Sequence, residues 1–382
     1  MLFELLLNGL VEGSLLALIA VGYSLAYGTA RVINFAHADV MIAGGGYLVL
    51  LWIGAGDGNT TGLLMALLFG IGTYFATLTW FSDTTWRHSV ISLLFGAGVF
   101  GATLGLVGRL PFAAAALLAV PFTALLADGI YGGGYLPLLR RRAARTSVLL
   151  SALGISIALE SYLLVAWGSQ RRVFPVGRVP PALSARPIPA GVAGLRAARE
   201  FGVLTLVGGQ TVPVLDGLIV LVFLAVVSGL ALFFRASRTA DAMVAAADAP
   251  SAARTCGIPV ERVLGQAFFL GGAVASLGGT LYVLRSRSLD PTAGFSPGLL
   301  AFAACVLGGV GSLRGSIAGA FVSGVVMSLA PAVPLERWAR LLLPASWLPF
   351  LPSLNLSDWS YGIVYILMIG IILLKPEGLF RR

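Results

Sequence analysis

Apolar residues in this 382-residue chain come in long runs, broken by arginine, proline and glycine clusters. The runs fall at 5–27, 36–53, 62–81, 89–109, 112–136, 147–167, 213–234, 263–284, 298–331 and 358–374. An α-helix rises about 1.5 Å per residue, so roughly 20 apolar residues match a bilayer core about 30 Å thick. The ninth run is too long for one crossing, and Gly308-Gly-Val-Gly-Ser-Leu-Arg-Gly315 divides it into two shorter helices. The pattern predicts an all-α, polytopic integral membrane protein. It has about ten transmembrane helices plus a broken, re-entrant pair near 298–331, in a single membrane domain over 1–382. Between the runs lie a Pro/Gly-rich loop at 168–212 with short β-branched stretches, read as a folded external cap, and a proline- and tryptophan-bearing interfacial segment at 332–357.

Composition removes the main alternatives. The chain is 58% hydrophobic and 11% charged, with a mean hydropathy of +0.94. A soluble domain is about 45–50% apolar and about 25% charged, so a water-soluble enzyme and a disordered chain are both excluded. The net charge of +9 does not signal nucleic-acid binding. Lys375 is the only lysine, and the arginines sit mostly between apolar runs, as topogenic charge does. Alternating the spans places Arg31, the Arg140–Arg142 and Arg145 group, the Arg235, Arg238, Arg254 and Arg262 group, and Arg381 and Arg382 on one side. That side is the cytoplasm, with the N-terminus outside and the C-terminus inside. The 168–212 loop runs against this, carrying Arg171, Arg172, Arg178, Arg186, Arg196 and Arg199 on the external side. Glu4 is the first charge and Arg31 the first base, so the N-terminus does not read as a cleaved signal peptide. Cys256 and Cys305 fall in a loop and an apolar run, an arrangement that does not favour a disulfide.

Several chemistries lack their residues. A P-loop needs a lysine that reaches the β- and γ-phosphates, and the only lysine precedes Pro376. His37 and His88 are the only histidines, with no paired cysteines, so no metal site is expected. There is no GxSxG elbow, no mid-membrane lysine for a Schiff base and no TVGYG filter. No catalytic residue is expected. Uphill transport would draw on an ion gradient or a separate subunit.

Three patches remain, dense in small residues and in polar groups at odds with lipid. Asn8 to Gly28, running into Arg31-Val-Ile-Asn-Phe-Ala-His-Ala-Asp39, offers Asn8, Glu12 and Tyr23 on a polar-tolerant face with glycines for close helix approach. Ser151 to Glu160 stacks Ser156 and Glu160 one turn apart. The third, 298–319, carries Phe302 and the Gly308, Gly309, Gly311, Ser312 break. Asn8, Glu12, Tyr23, Ser156, Glu160 and Phe302 are the candidate substrate-pathway residues, and the glycine break is the candidate gate. A carboxylate facing lipid costs about 2.5–3.5 kcal/mol on insertion scales, so Glu12 should face protein or water. His37 and Asp39 read as solvated or backbone-capping groups near the cytoplasmic end. The 235–262 loop reads as two short alanine-rich helices, with Asp248 capping the second, Pro250 in its first turn and Gly257 stopping it. Such a loop suits docking of a soluble partner.

These patches resemble the integral-membrane permeases of branched-chain amino acid ABC importers. The residues concerned are Asn8-Gly-Leu through Tyr27-Gly with Ile33-Asn-Phe-Ala-His; Ser151-Ala-Leu-Gly-Ile-Ser-Ile; Ala247-Asp248 through Gly257-Ile258 to Arg262; and Pro291-Thr-Ala-Gly-Phe through Ala301-Phe to Val306-Leu-Gly-Gly-Val-Gly-Ser. The resemblance implies import of leucine-like or related small amino acids or amides. It implies a second permease, two cytoplasmic ATPases that hold ATP with magnesium, and an extracytoplasmic solute-binding protein, in a bacterial inner membrane. On that reading this chain carries no cofactor and meets membrane lipid but no nucleic acid. Asp241, Asp248, Ala252, Arg254, Gly257, Ile258 and Arg262 would form the ATPase docking site. The chain departs from the family pattern in having His37-Ala-Asp39 for His-Gly-Glu, Leu300 for a lysine, and Asp241 and Val244 for basic residues. Residues 56–110 read as an inserted hairpin beyond the family's eight or so crossings. A urea or short-amide permease of the same family, an ion-coupled secondary transporter and a polytopic membrane enzyme are the competing readings, the last with no converging polar cluster in the sequence behind it.

Overall fold

A computed structural model of the chain describes residues 2–54, 59–80, 86–173, 203–205, 211–332, 356–375 and 378–379. The long helices are α1 (Leu2–Ala30), α3 (Asn59–Trp80), α4 (Trp86–Leu106), α5 (Phe112–Ile130), α7 (Arg145–Trp167), α8 (Val214–Ala236), α11 (Val260–Ser286) and α13 (Leu313–Leu329). The shorter ones are α2 (His37–Trp52), α6 (Leu136–Arg140), α9 (Arg238–Asp248), α10 (Pro250–Thr255), α12 (Phe295–Gly308) and α14 (Leu356–Leu374). A π-helical turn, Tyr131–Tyr135, joins α5 to α6. Among the described residues eight helices are long and apolar enough to cross a membrane, and α2, α12 and Trp359–Leu374 of α14 are shorter apolar helices. These eleven fall on the ten apolar runs, the ninth run supplying both α12 and α13.

Burial sorts them into a centre and a rim. Of the most apolar stretch, 72% is buried in α11 and 67% in α1, against 22% in α4 and α7 and 11% in α8. Residues His37–Leu51 of α2 are all buried, making it the axis of the bundle. A Cβ on Gly45 would stand 2.9 Å from the carbonyl oxygen of Gly279 in α11, so only glycine lets these two backbones approach so closely.

The α3–α4 hairpin is integral to this packing. Met65, Ala66 and Phe69 of α3 are fully buried, Tyr47 and Thr103 share a buried 2.7 Å hydrogen bond, and the Gly108 amide donates to the Leu50 carbonyl.

Opposite ends of the bundle differ. At one, β1 (Arg172–Val173) pairs antiparallel with β4 (Ser288–Leu289), and β2 (Val203–Thr205) pairs with β3 (Thr211–Pro213). This is the sheet end. At the other, the loop end, Tyr27 and Gly28 of α1 meet the 308–312 turn, and Leu379 donates its amide to the Leu307 carbonyl. Most of the proposed external cap, 174–202 and 206–210, and the 333–355 part of the interfacial segment lie outside the described residues, as do Arg381 and Arg382.

Candidate translocation and docking sites

Two chain reversals place polar groups deep in the bundle. After α1 ends at Ala30, the chain turns back, and the His37 ring comes to rest against Gly22 of α1 and near Gly271 of α11. With 1.5 Å per residue, the start of α2 lies roughly 10 Å inside the loop end. From the sheet end, the segment after α11 also turns inward. Leu289 packs near Gly46 of α2, and Gly294, the cap residue of α12, reaches Ala38 and the Asp39 carboxylate. α12, with 14 residues, is only about 21 Å long and begins within the bundle. Interrupted helices of this kind form substrate and ion sites near the midplane of transporter folds.

The meeting point of α2 and α12 gathers most of the candidate pathway residues. Ser156 Oγ of α7 donates to Asp39 Oδ2, and Glu160 sits half-buried one turn further along α7. Tyr23, 5% exposed, packs its ring 4.9 Å from His37 and 6.1 Å from Phe302, and Phe35 lies 5.9 Å from Phe302. Asp39 and His37 are 3% and 2% exposed, which corrects their expected placement as solvated groups. The physical reason is the dip of the 31–36 loop, which carries both inward. Asp39 is held there by the Ser156 hydroxyl and by its place at the N-terminus of α12, whose dipole favours an anion. Ser156 therefore serves Asp39 across helices rather than Glu160 along its own.

Two other pathway candidates lie apart from this cluster. Asn8 is exposed near the start of α1. Glu12 pairs with Arg285 at the end of α11, at 3.2 Å, so its carboxylate faces protein as expected.

The glycine break forms as expected. Gly308 ends α12, Gly309 and Gly311 adopt φ of 110° and 84°, and Ser312 caps α13, accepting from the Gly315 amide at 3.2 Å. A Cβ on Gly308 would overlap the Gly315 carbonyl, so α12 and α13 touch backbone to backbone. Cys305 and Ser316 meet at 3.1 Å across the same seam.

In the 235–262 loop, Ser237 caps α9 by accepting from the Thr239 amide. Asp248 is the last residue of α9 and does not cap α10; Ala249 holds that position, at φ −143° and ψ 78°. Pro250 at the first helical position excludes α geometry from the residue before it, which moves the cap to Ala249. Gly257 adopts φ 79° after α10. Asp241, Asp248, Ala252, Arg254 and Gly257 are exposed, whereas Ile258 and Arg262 are half-buried. Ala240, Met243, Ala246 and Ala247 form the buried face of α9, which packs on α11 and α1.

Groups at the end of α5 and in the π turn, which sequence reading passed over, tie that region to its neighbours. Tyr131 Oη, in the π turn, donates to the Glu261 carbonyl at 3.0 Å. Tyr135 Oη donates to Asn34 Oδ1 at 2.9 Å, within the 31–36 loop. Asp128, 1% exposed, accepts from Trp80 Nε1 at 3.0 Å and faces Gly265 of α11. The available signal was Tyr131-Gly-Gly-Gly-Tyr135, a run that favours an irregular turn.

The family model for the permease component of branched-chain amino acid transport systems matches residues 5–372. The chain belongs to that family. Among its relatives is the high-affinity branched-chain amino acid transport system permease protein LivH of Salmonella typhimurium, 28% identical over 85% of this chain and 84% of the relative. The corresponding protein BraD of Pseudomonas aeruginosa is 28% identical over 99% of this chain and 95% of its own. The xylose transport system permease protein XylH of Escherichia coli is 32% identical over 50% of this chain and 46% of its own. No solved structure matches. Family members are transport components rather than enzymes, and the apolar helices make this one a membrane protein.

Proposed function

We propose that this chain is the permease subunit of an ATP-driven importer that moves branched-chain or other small neutral amino acids across the bacterial inner membrane by alternating access. The observation that carries the reading, beside family membership, is the junction of α2 and α12. Two short helices begin inside the bundle there, beside Asp39, Ser156, Glu160 and the Tyr23, Phe35 and Phe302 rings. The aromatic side suits an apolar side chain and the polar side suits backbone groups of a substrate. The gate is the 308–312 turn. ATP with magnesium binds on two partner ATPases docked on 241–262, and no cofactor is held by this chain. A second permease completes the pathway, and a solute-binding protein delivers substrate at the sheet end.

Uptake of labelled leucine in proteoliposomes holding the permease pair and its ATPases tests this reading. Uptake should require ATP, and Tyr23→Ala or Phe302→Ala should depress it with the complex still assembled. Uptake that persists without any ATPase would replace it with ion-coupled transport, and selective uptake of xylose or urea would change the substrate. Orientation has its own test in Cys256, exposed in the docking loop, and Cys305, buried. A membrane-impermeant maleimide should label Cys256 in inverted vesicles and leave it unlabelled in intact cells.

A further inference from the structure

Beneath the two-helix loop lie two adjoining clefts that the transport reading does not use. The larger, about 590 Å³, is bounded by the end of α1, the start of α7 and the inner faces of α9 and α10. Its walls are mostly apolar, including Ile33, Leu139, Val148 and Leu264, with Arg31 and Arg254 also lining it. The smaller, about 250 Å³, shares Leu139, Leu264 and Arg254 and adds Arg140, Arg142 and Glu261. Glu261 is already engaged, accepting from Arg140 Nη2 at 2.7 Å and Nε at 3.0 Å. Among the described residues, the Arg31, Arg142 and Arg254 side chains make no ion pair or hydrogen bond.

Two of these arginines stand where glycine is the usual residue. Arg31 follows α1 and Arg142 follows α6, with φ of 55° and 50°, left-handed geometry that disfavours any residue with a Cβ. A cation kept at such a place points to work done by its side chain. The larger cleft also continues outward. Leu149, on its wall, is exposed on α7 beside Leu150 and Leu153, on a helix only 22% buried in its apolar stretch.

We propose that these clefts hold one anionic phospholipid, its acyl chain in the larger cavity and its phosphate among Arg31, Arg142 and Arg254. Charge and shape select this occupant together. An apolar slot open toward the lipid face takes a hydrocarbon chain, and unpaired guanidinium groups at its mouth take a phosphate. The lipid would pack under α9 and α10 and brace the loop from its inner side. The inference stands whether or not ATPases dock on that loop.

The test uses the purified, delipidated full chain in a non-ionic detergent, titrated with phosphatidylglycerol and followed by thermal midpoint and native mass spectrometry. One phosphatidylglycerol per chain should be retained and should raise the midpoint, while phosphatidylcholine and inorganic phosphate should not. Arg142→Gly should weaken retention about fivefold, and Arg31→Gly with Arg142→Gly about 25-fold. Because glycine relieves the left-handed backbone, neither variant should lower the midpoint of the lipid-free protein. Ala143→Phe, filling the larger cavity with every arginine in place, should abolish the lipid-induced rise. The proposal is overturned if phosphatidylcholine acts equally, if inorganic phosphate alone reproduces the rise, or if the double glycine variant or Ala143→Phe binds as wild type does.

Discussion

Arginine is handled in opposite ways at the two ends of the bundle. At the sheet end it is tethered. Arg285 pairs with Glu12, Arg171 Nε donates to Ser288 Oγ at 2.6 Å, and Arg172 donates to the Trp167 carbonyl with its guanidinium 5.5 Å from that ring. At the loop end only Arg140, among the arginines lining the two clefts, has an acidic partner. The contrast bears on the one region where charge counting runs against the alternation of spans, the arginine-bearing 168–212 loop. A count treats every arginine as a free topogenic charge. Arg171 and Arg172 are instead side chains that fasten the end of α7 to β4 and to its own last turn. Among these described arginines, what separates the ends is whether the side chain has a partner, not the presence of a cation.

The largest effect expected from disturbing this arrangement lies in the glycine seam at the loop end. Gly308→Ala would drive a methyl group into the Gly315 carbonyl, and overpacking of backbone against backbone should cost about 3 kcal/mol or more. Gly101→Ala in α4, where nothing lies within 4 Å, is the control. A midpoint for Gly308→Ala as high as that of Gly101→Ala would mean that α12 and α13 are not in backbone contact. Next is Tyr135→Phe, which removes the buried donor to Asn34 and should cost about 1–3 kcal/mol, since Asn34 Oδ1 is left without its partner. The same variant should make Cys256 on the 235–262 loop no easier to label, whereas a change in its labelling rate would tie the 31–36 dip to that loop.

How much of this was legible beforehand divides along physical lines. Apolar runs follow from transfer free energy, a property of each residue, so all eleven apolar helices could be read, as could the glycine break between α12 and α13. The two-helix form of the 235–262 loop was legible from Pro250 and Gly257, which act locally. Tertiary partners were not. Asp39 reads as a boundary charge because it follows Arg31 and Asn34 closely, and only the inward dip of the loop buries it. Ser156 and Glu160, one turn apart, look like partners on one helix, yet the hydroxyl turns to another helix. Glu12 announced that it needed a partner, but nothing local in the chain names Arg285 at the far end of α11 as that partner. The Tyr131-Gly-Gly-Gly-Tyr135 run marked an irregular turn but not the partners of its two tyrosines, and Asp128 carried no pattern that sets it apart from its apolar neighbours.

The smallest effects sharpen the comparison best, because each end supplies one ion pair. In Glu12–Arg285 the side chains are 38% and 26% exposed; in Arg140–Glu261 they are 52% and 42% exposed, at a shorter 2.7 Å. If distance governed, the second pair would be the stronger. Desolvation argues the reverse, since exposed pairs are screened and typically contribute about 0.2–1 kcal/mol, while removing one partner from a less accessible pair strands a charge. Glu12→Ala should therefore cost about 1–2 kcal/mol, above the range of exposed pairs. A double-mutant cycle on Arg140→Ala and Glu261→Ala should return a coupling of about 0.5 kcal/mol that fades as salt is raised. Equal, salt-insensitive coupling at both ends would mean that the loop end is as tightly bound as the sheet end, and the distinction between tethered and free arginine would fall with it.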